Sequence, residues 1–456
     1  MKNINKILMI FFFSFSLFGD SYTFKELPIQ EDGRIKPIDS YARNQLLRFY
    51  GKSSLKDDSK KNAIDWLKDV FSDSENSIKM PIFNIRNPEV AISLGLEKTD
   101  NHKYSFLNII NGLRENQDLL ESLKGKSLEE QTLVEKQIIE VYQNVILFDE
   151  IAHSMYCFLP LIDIEDVTLQ EYMGTRKKEK VSYSFFMRNI EKFKVLLQGL
   201  LDTKEENWNK SHIELSKIAL QLQSLTQYHY SQALKIIPTF EYGDSGQWLS
   251  PWELMDGRHL NEEQKSILVS YEELILNLVN QENEKVNLFA TEIVLKIKTY
   301  YPSFNDHLLI KETFYNKSNV FLFSLIFYVL AFLLVGVNWM SNLSIFRKIS
   351  LYSVLVGFVI HAYGLSIRMI IMQRPPVSTL YESILFVGFI LVLFALIFEF
   401  IRKDTIGILI AVIGGSLLHF IGFKYAAEGD TLGMLVAVLN SNFWLAIHVT
   451  TITIGY

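Results

Sequence analysis

The sequence predicts a mainly α-helical protein in three parts: a signal peptide, a helical exported domain, and an incomplete polytopic α-helical membrane bundle. Three observations carry that expectation. A short apolar run follows two early lysines, apolar residues recur at three- and four-residue spacing through much of the chain, and long runs with very few charges begin after Ser318.

The N-terminus carries Lys2 and Lys6, then an apolar stretch from Ile7 to Gly19, with Gly19 and Ser21 small enough for a cleavage site. Such a stretch is short for a membrane span and has the pattern of a secretory signal, so residues 1–21 read as a signal peptide or N-terminal anchor. Residues 22–317 then read as an exported, mainly helical domain. Leu27 to Pro37 suits a hairpin, because Asp32-Gly33 favours a tight turn. From Asp39 the spacing turns helical, over Ser40–Tyr50, Lys60–Phe71, Ser127–Leu161, Phe185–Leu201, Ser211–Ile236 and, as two helices, Asn261–Tyr300. Gly243 to Gly257, with Trp248 and Trp252, reads as a loop.

Charge and cysteine content exclude several classes. The chain has 456 residues, with 45 basic and 51 acidic. Seven basic and five acidic residues lie from Ser318 onward, so the preceding part is net acidic, which argues against a nucleic-acid partner. Cys157 is the single cysteine, so the chain cannot form an internal disulfide, a Cys-x-x-Cys pair or a c-type haem attachment site. The histidines of the exported part, His102, His153, His212, His229, His259 and His307, form no metal-ligand spacing and read as surface or packed side chains.

Residues 318–456 form the membrane domain. Spans are expected at 320–338, 349–372, 379–401 and 405–423, with an incomplete one at 443–456. Arg347-Lys348 and Arg402-Lys403 fall in loops on one side, as the positive-inside rule requires of the cytoplasmic face; Arg374 and the 424–441 loop fall on the other. The last run reaches about 21 Å at 1.5 Å per residue, short of a hydrocarbon core of about 30 Å. The sequence is therefore expected to continue beyond Tyr456.

Ionisable residues inside spans are functional candidates. His361 and Arg368, seven residues apart, share a helix face and suggest a lined cavity. His419, near the end of the fourth span, suggests an interfacial role. His448 sits near the start of the last span with Trp444 one turn before it; an imidazole there can bind metal, donate a hydrogen bond or relay protons. Arg374-Pro-Pro-Val-Ser-Thr-Leu-Tyr-Glu-Ser383 excludes helix at its prolines, then offers a capping box from Thr379 to Glu382. Arg374 is available there to pair with an anionic group.

His361-Ala-Tyr-Gly-Leu-Ser-Ile-Arg368, the Arg374–Ser383 segment, and Ser441-Asn-Phe-Trp-Leu-Ala-Ile-His448 with Ile454-Gly-Tyr456 together resemble the membrane domain of the cytochrome c assembly family, in its CcsA/ResC (system II) type. The resemblance covers about residues 320–456, with a looser likeness over Leu27–Tyr50. It implies a polytopic protein of the bacterial inner membrane, with residues 22–317 on the periplasmic side, that handles haem b for covalent attachment to Cys-x-x-Cys-His of apocytochrome c. It further implies a CcsB/ResB-like membrane partner. His448 matches an outer axial haem ligand and His361 an intramembrane family histidine. Arg374, Trp444 and Glu382 fall in the same cofactor-binding segments, Arg374 as a propionate partner. The tryptophan-rich motif and the second outer histidine of the family are missing and would lie beyond Tyr456. As written, the chain would be one part of a cytochrome c haem-lyase complex, inactive alone. Two other readings stand beside this one: a transport or channel subunit using the intramembrane His and Arg, and a membrane-anchored scaffold without catalysis.

Overall fold

Local hydrogen bonds decide where the helices start and stop. In the computed structural model the described residues are 21–55, 61–127, 129–175, 180–239, 246–256, 260–341, 343–427 and 429–433, with 451 and 455. The signal segment and the incomplete last span, with Trp444 and His448, therefore lie outside the described residues. Among those described, the chain is mainly helical, with short two-stranded pieces between helices.

Pro28–Glu31 (β1) and Arg34–Pro37 (β2) are the strands of the expected hairpin, turning through Asp32 and Gly33, both at positive φ (52° and 76°). The longer helices follow in order: α1, Ile38–Tyr50; α2, Ala63–Ser72; α3, Leu133–His153; α4, Ile190–Leu201; α5, Lys210–Leu225; α6, Glu262–Val279; α7, Asn283–Tyr300. Several begin later or end sooner than the spacing of apolar residues predicts. The expected Ser127–Leu161 helix starts only at Leu133, because Thr132 and Glu135 close a capping box there. It ends at His153, where the Ser154 hydroxyl donates to the Ile151 carbonyl. The expected Phe185–Leu201 helix is two helices, Tyr183–Arg188 and α4, broken at Asn189, whose side-chain amide donates to the Phe185 carbonyl. The expected loop at 243–257 instead holds strand Trp248–Leu249, paired antiparallel with Ile237–Pro238, then a Ser250-capped helix, Pro251–Met255.

The chain divides into two compact units. One takes the residues up to Glu31, then Pro37–Ala42 and Leu55–Asp306; the other takes Asp32–Lys36, Arg43–Ser54 and everything from His307. The first unit closes around fully buried Trp66, Trp248, Trp252, Phe148 and Tyr271. Burying each such ring removes about 150–250 Å² of mostly apolar surface from water, which makes them the main source of cohesion here. Trp252 also satisfies its indole N–H by donating to the His153 carbonyl at 3.0 Å.

In the second unit, α8 (His307–Ser318) leads through Asn319, at φ 46°, into α9 (Val320–Ser341); α10 (Ser344–Met372), α11 (Leu380–Arg402) and α12 (Ile406–Ala426) complete it. The four runs His307–Ser341, Ser344–Met372, Leu380–Arg402 and Ile406–Ala426 are long and apolar enough to cross a membrane. Even the shortest, with 21 residues, rises about 32 Å. α9 packs on α10, α11 on α12, and α9 also on α12, around Tyr328, Ala331, Val354, Val392 and Ala411. Small hydroxyls join the first pair: Ser324 donates to the Gly357 carbonyl, Ser350 to Ala331 and Ser353 to Phe327, at 2.8–2.9 Å. At the N-terminal end of α10, Arg347 donates through Nε and Nη2 to Glu399 of α11, at 3.0 and 2.7 Å.

Candidate functional site

Two histidines meet in the middle of the helical bundle. His361 lies on α10 and His419 on α12; both are fully buried, and their ring centroids are 4.5 Å apart at an interplanar angle of 74°. Phe321, Tyr328 and Phe389 surround His361 edge-to-face, while Phe321, Tyr328 and Phe423 flank His419.

Tyr328 is fixed between helices by two glycines. A Cβ on Gly357 would stand 2.9 Å from Tyr328 Cε1, and one on Gly415 would stand 3.1 Å from Cδ2. With no Cβ on either side, the ring slides between α10 and α12, and its hydroxyl reaches His361 Nδ1 at 3.3 Å. On the other imidazole, Nδ1 donates to the Gly415 carbonyl at 2.8 Å. That bond leaves His419 Nε2 as the nitrogen with the lone pair. His361 Nε2 and His419 Nε2 are both buried, and both lack a hydrogen-bond partner among the described residues. An orphaned buried polar atom costs about 1–3 kcal/mol, so two of them on touching rings mark a place where a ligand would be stabilising.

The second feature is a charged cluster where α10 ends and α11 begins. Arg368, 1% exposed, donates from Nη1 to the Tyr315 hydroxyl (2.9 Å) and to Thr431 Oγ1 (3.2 Å), and from Nη2 to Glu382 Oε1 (3.0 Å) and the Thr431 carbonyl. Its guanidinium also faces the Tyr381 ring at 4.9 Å. Glu382, itself 1% exposed, accepts on its other oxygen from the Ser378 and Thr379 amides. The predicted capping box is thus present, with Thr379 as N-cap. Arg374 donates from Nη2 to the Gly433 carbonyl at 2.9 Å and lies 3.7 Å from the same Glu382 oxygen. Nearby in this unit, Arg34 forks Glu312 at 2.6 and 3.0 Å, and Lys36 reaches Asp430 at 3.3 Å. Burial pushes the Asp430 carboxyl up, but Lys36, the Leu432 amide and Arg34 outweigh it and hold the group below the usual carboxylate range.

The structure brings some predicted residues together and separates others. His361 and Arg368 do share the interior face of α10, yet Arg368 and Glu382 neutralise each other in a closed ion pair instead of lining an open cavity. Glu382 is a counter-ion and helix cap, with both oxygens engaged. His419 is enclosed within the bundle against His361. Among the described residues no group of three or more His, Cys, Asp or Glu side chains is arranged to hold a metal.

The first unit has a separate set of aromatic and histidine side chains. His153 stacks on Tyr228 at 4.6 Å, and His229 lies 3.2 Å from the Tyr183 hydroxyl. Burial holds the His229 imidazole below its ordinary value, against the pull of Asp256. Cys157 is fully buried, which pushes its thiol well up and leaves it a packing residue. These side chains have protein partners among the described residues.

No family model matches the sequence, and no curated protein matches it.

Proposed function

We propose that the chain handles haem in the membrane for covalent cytochrome c maturation, with His361 and His419 as the residues that would hold it there. The observation that carries this reading is the pair of buried imidazoles whose Nε2 atoms have no partner among the described residues. The resemblance in the Arg374–Ser383 and Ser441–His448 segments supports it. So does the wall of Phe321, Phe389 and Phe423, since a porphyrin needs an apolar surround.

The donor set fits iron porphyrin by chemistry: neutral imidazole nitrogens in a buried, aromatic-lined site. The two rings are in direct contact, so an iron between them requires the imidazoles to part. When bound, haem would supply the iron that the imidazoles ligate and the vinyl groups that receive apocytochrome thiols. The chain's part is to exclude water, to orient the rings through Tyr328 and Gly415, and to keep lone pairs aimed inward. In this reading the setting is a bacterial inner membrane with residues 22–317 on the periplasmic side. A CcsB/ResB-like protein and apocytochrome c are the partners, and His448 is an outer ligand.

The test is absorbance of the full chain purified from haem-replete cells. A Soret band that falls by at least half in His361→Ala/His419→Ala, and persists in His448→Ala, supports the reading. A colourless wild type, or a band indifferent to the double substitution, contradicts it and favours the transport or scaffold reading.

A further inference from the structure

The charges at the Arg368 end of the bundle do not balance. Around them, each other buried cation has its own carboxylate: Arg34 has Glu312, and Lys36 has Asp430. Arg347, at the opposite end of α10, has Glu399. Arg368 and Arg374, in contrast, converge on a single oxygen, Glu382 Oε1, at 3.0 and 3.7 Å. Their side chains are 0% and 6% exposed, and Glu382 is 1% exposed. Among the described residues, two guanidinium groups and one carboxylate leave one positive charge over.

That surplus is costly where it sits. Removing an ion from water costs several kcal/mol unless a counter-charge and hydrogen bonds compensate it. Arg368 has four hydrogen bonds to spread its charge; Arg374 has one, to the Gly433 carbonyl. Both Nε atoms are buried with no partner among the described residues. The imbalance shows in the titration of the second arginine as well: burial, with repulsion from Arg368 and Arg34, pulls the Arg374 guanidinium below its ordinary value despite Glu382.

We propose that this end of the bundle is a binding site for one anionic group, a carboxylate or phosphate borne by a membrane-soluble amphiphile, held by Arg374 and seated against Arg368. Guanidinium is the right partner, because its planar fork matches both oxyanions and gives them charge-assisted hydrogen bonds. The amphiphilic character follows from the flanking helices: Arg368 ends an apolar run on α10, and Tyr381, Leu385 and Phe386 of α11 form the apolar wall beside it. Two sources share this chemistry, a porphyrin propionate and a phospholipid headgroup. The site does not depend on the haem reading, since it is defined by charge and not by the histidines.

The experiment is thermal unfolding of the full chain in nanodiscs. The probes are phosphatidylglycerol against phosphatidylcholine, and protoporphyrin IX against its dimethyl ester. Anionic lipid or the free diacid should raise the midpoint of the wild type, and the neutral counterparts should not. Arg374→Gln should weaken binding of the effective probe about ten-fold, while leaving the ligand-free midpoint unchanged or higher, because it removes an uncompensated charge. Arg374→Lys should retain part of the effect. A response to the diacid alone identifies the propionate as occupant; a response to phosphatidylglycerol alone keeps the anion site and removes its link to haem. The proposal is overturned if neither anionic probe shifts the wild type. It is overturned equally if Arg374→Gln lowers the ligand-free midpoint and responds to the probes as the wild type does.

Discussion

Glu382 shows how one side chain carries several obligations at once. It caps α11 through the Ser378 and Thr379 amides, neutralises Arg368, and lies beside Arg374. Replacing it with Gln keeps the shape and removes the carboxylate between two buried guanidinium groups. Loss of one partner of a buried pair costs about 3–5 kcal/mol, so Glu382→Gln should lower stability by that order in chemical denaturation; a loss under about 1 kcal/mol would mean that the pair is solvated. Asp430 makes a pH prediction of known sign. Its folded carboxyl titrates below the unfolded one, so the stability it contributes is fully present above about pH 4 and is lost as pH falls through the lower folded value. Thermal midpoints of wild type and Asp430→Asn should therefore converge below about pH 4 and separate at neutral pH; a constant gap down to pH 3 would contradict the assignment. Of these residues, sequence alone singled out Arg374 and Glu382, because prolines and a capping box are local signals. It did not pair His419 with His361. Nothing within a few residues of His419 reveals that α12 turns it onto α10; that depends on how Gly357 and Gly415 let Tyr328 fill the space between helices.

At the level of elements, close approach governs the bundle. A methyl group on Gly357 would meet the Tyr328 ring at 2.9 Å and the Phe327 Cβ at 3.2 Å, both held in the α9–α10 interface. Gly357→Ala should destabilise the protein by about 1–3 kcal/mol through overpacking. An unchanged unfolding midpoint would show that the helices part freely. Helices α9 to α12 were legible as uninterrupted apolar runs, since lipid-spanning segments must satisfy their backbone internally. The helices of the first unit were legible as helices but not in their limits. Apolar spacing continues across Asn189 and upstream of Thr132, whereas the chain stops the helix with side-chain to backbone hydrogen bonds. The 237–249 strand pair was missed because two-residue strands have no period to detect.

For the whole molecule, successive short connections between α9, α10, α11 and α12 place alternate loops on opposite sides if all four helices cross. The chain has a single cysteine, fully buried, so introduced cysteines give a clean readout. A membrane-impermeant maleimide should label Ser341→Cys and Lys403→Cys from one side of sealed vesicles, and Gln373→Cys and Gly429→Cys from the other. Labelling of both pairs from the same side would refute a four-span arrangement. The central claim, that two touching imidazoles in this bundle are there to take iron porphyrin, is tested most directly by electron paramagnetic resonance of the full chain in nanodiscs titrated with ferric haem. The account predicts a low-spin signal of two nitrogen ligands that turns high-spin in either His361→Ala or His419→Ala; a high-spin signal in the wild type, or a low-spin one that survives both substitutions, would contradict it.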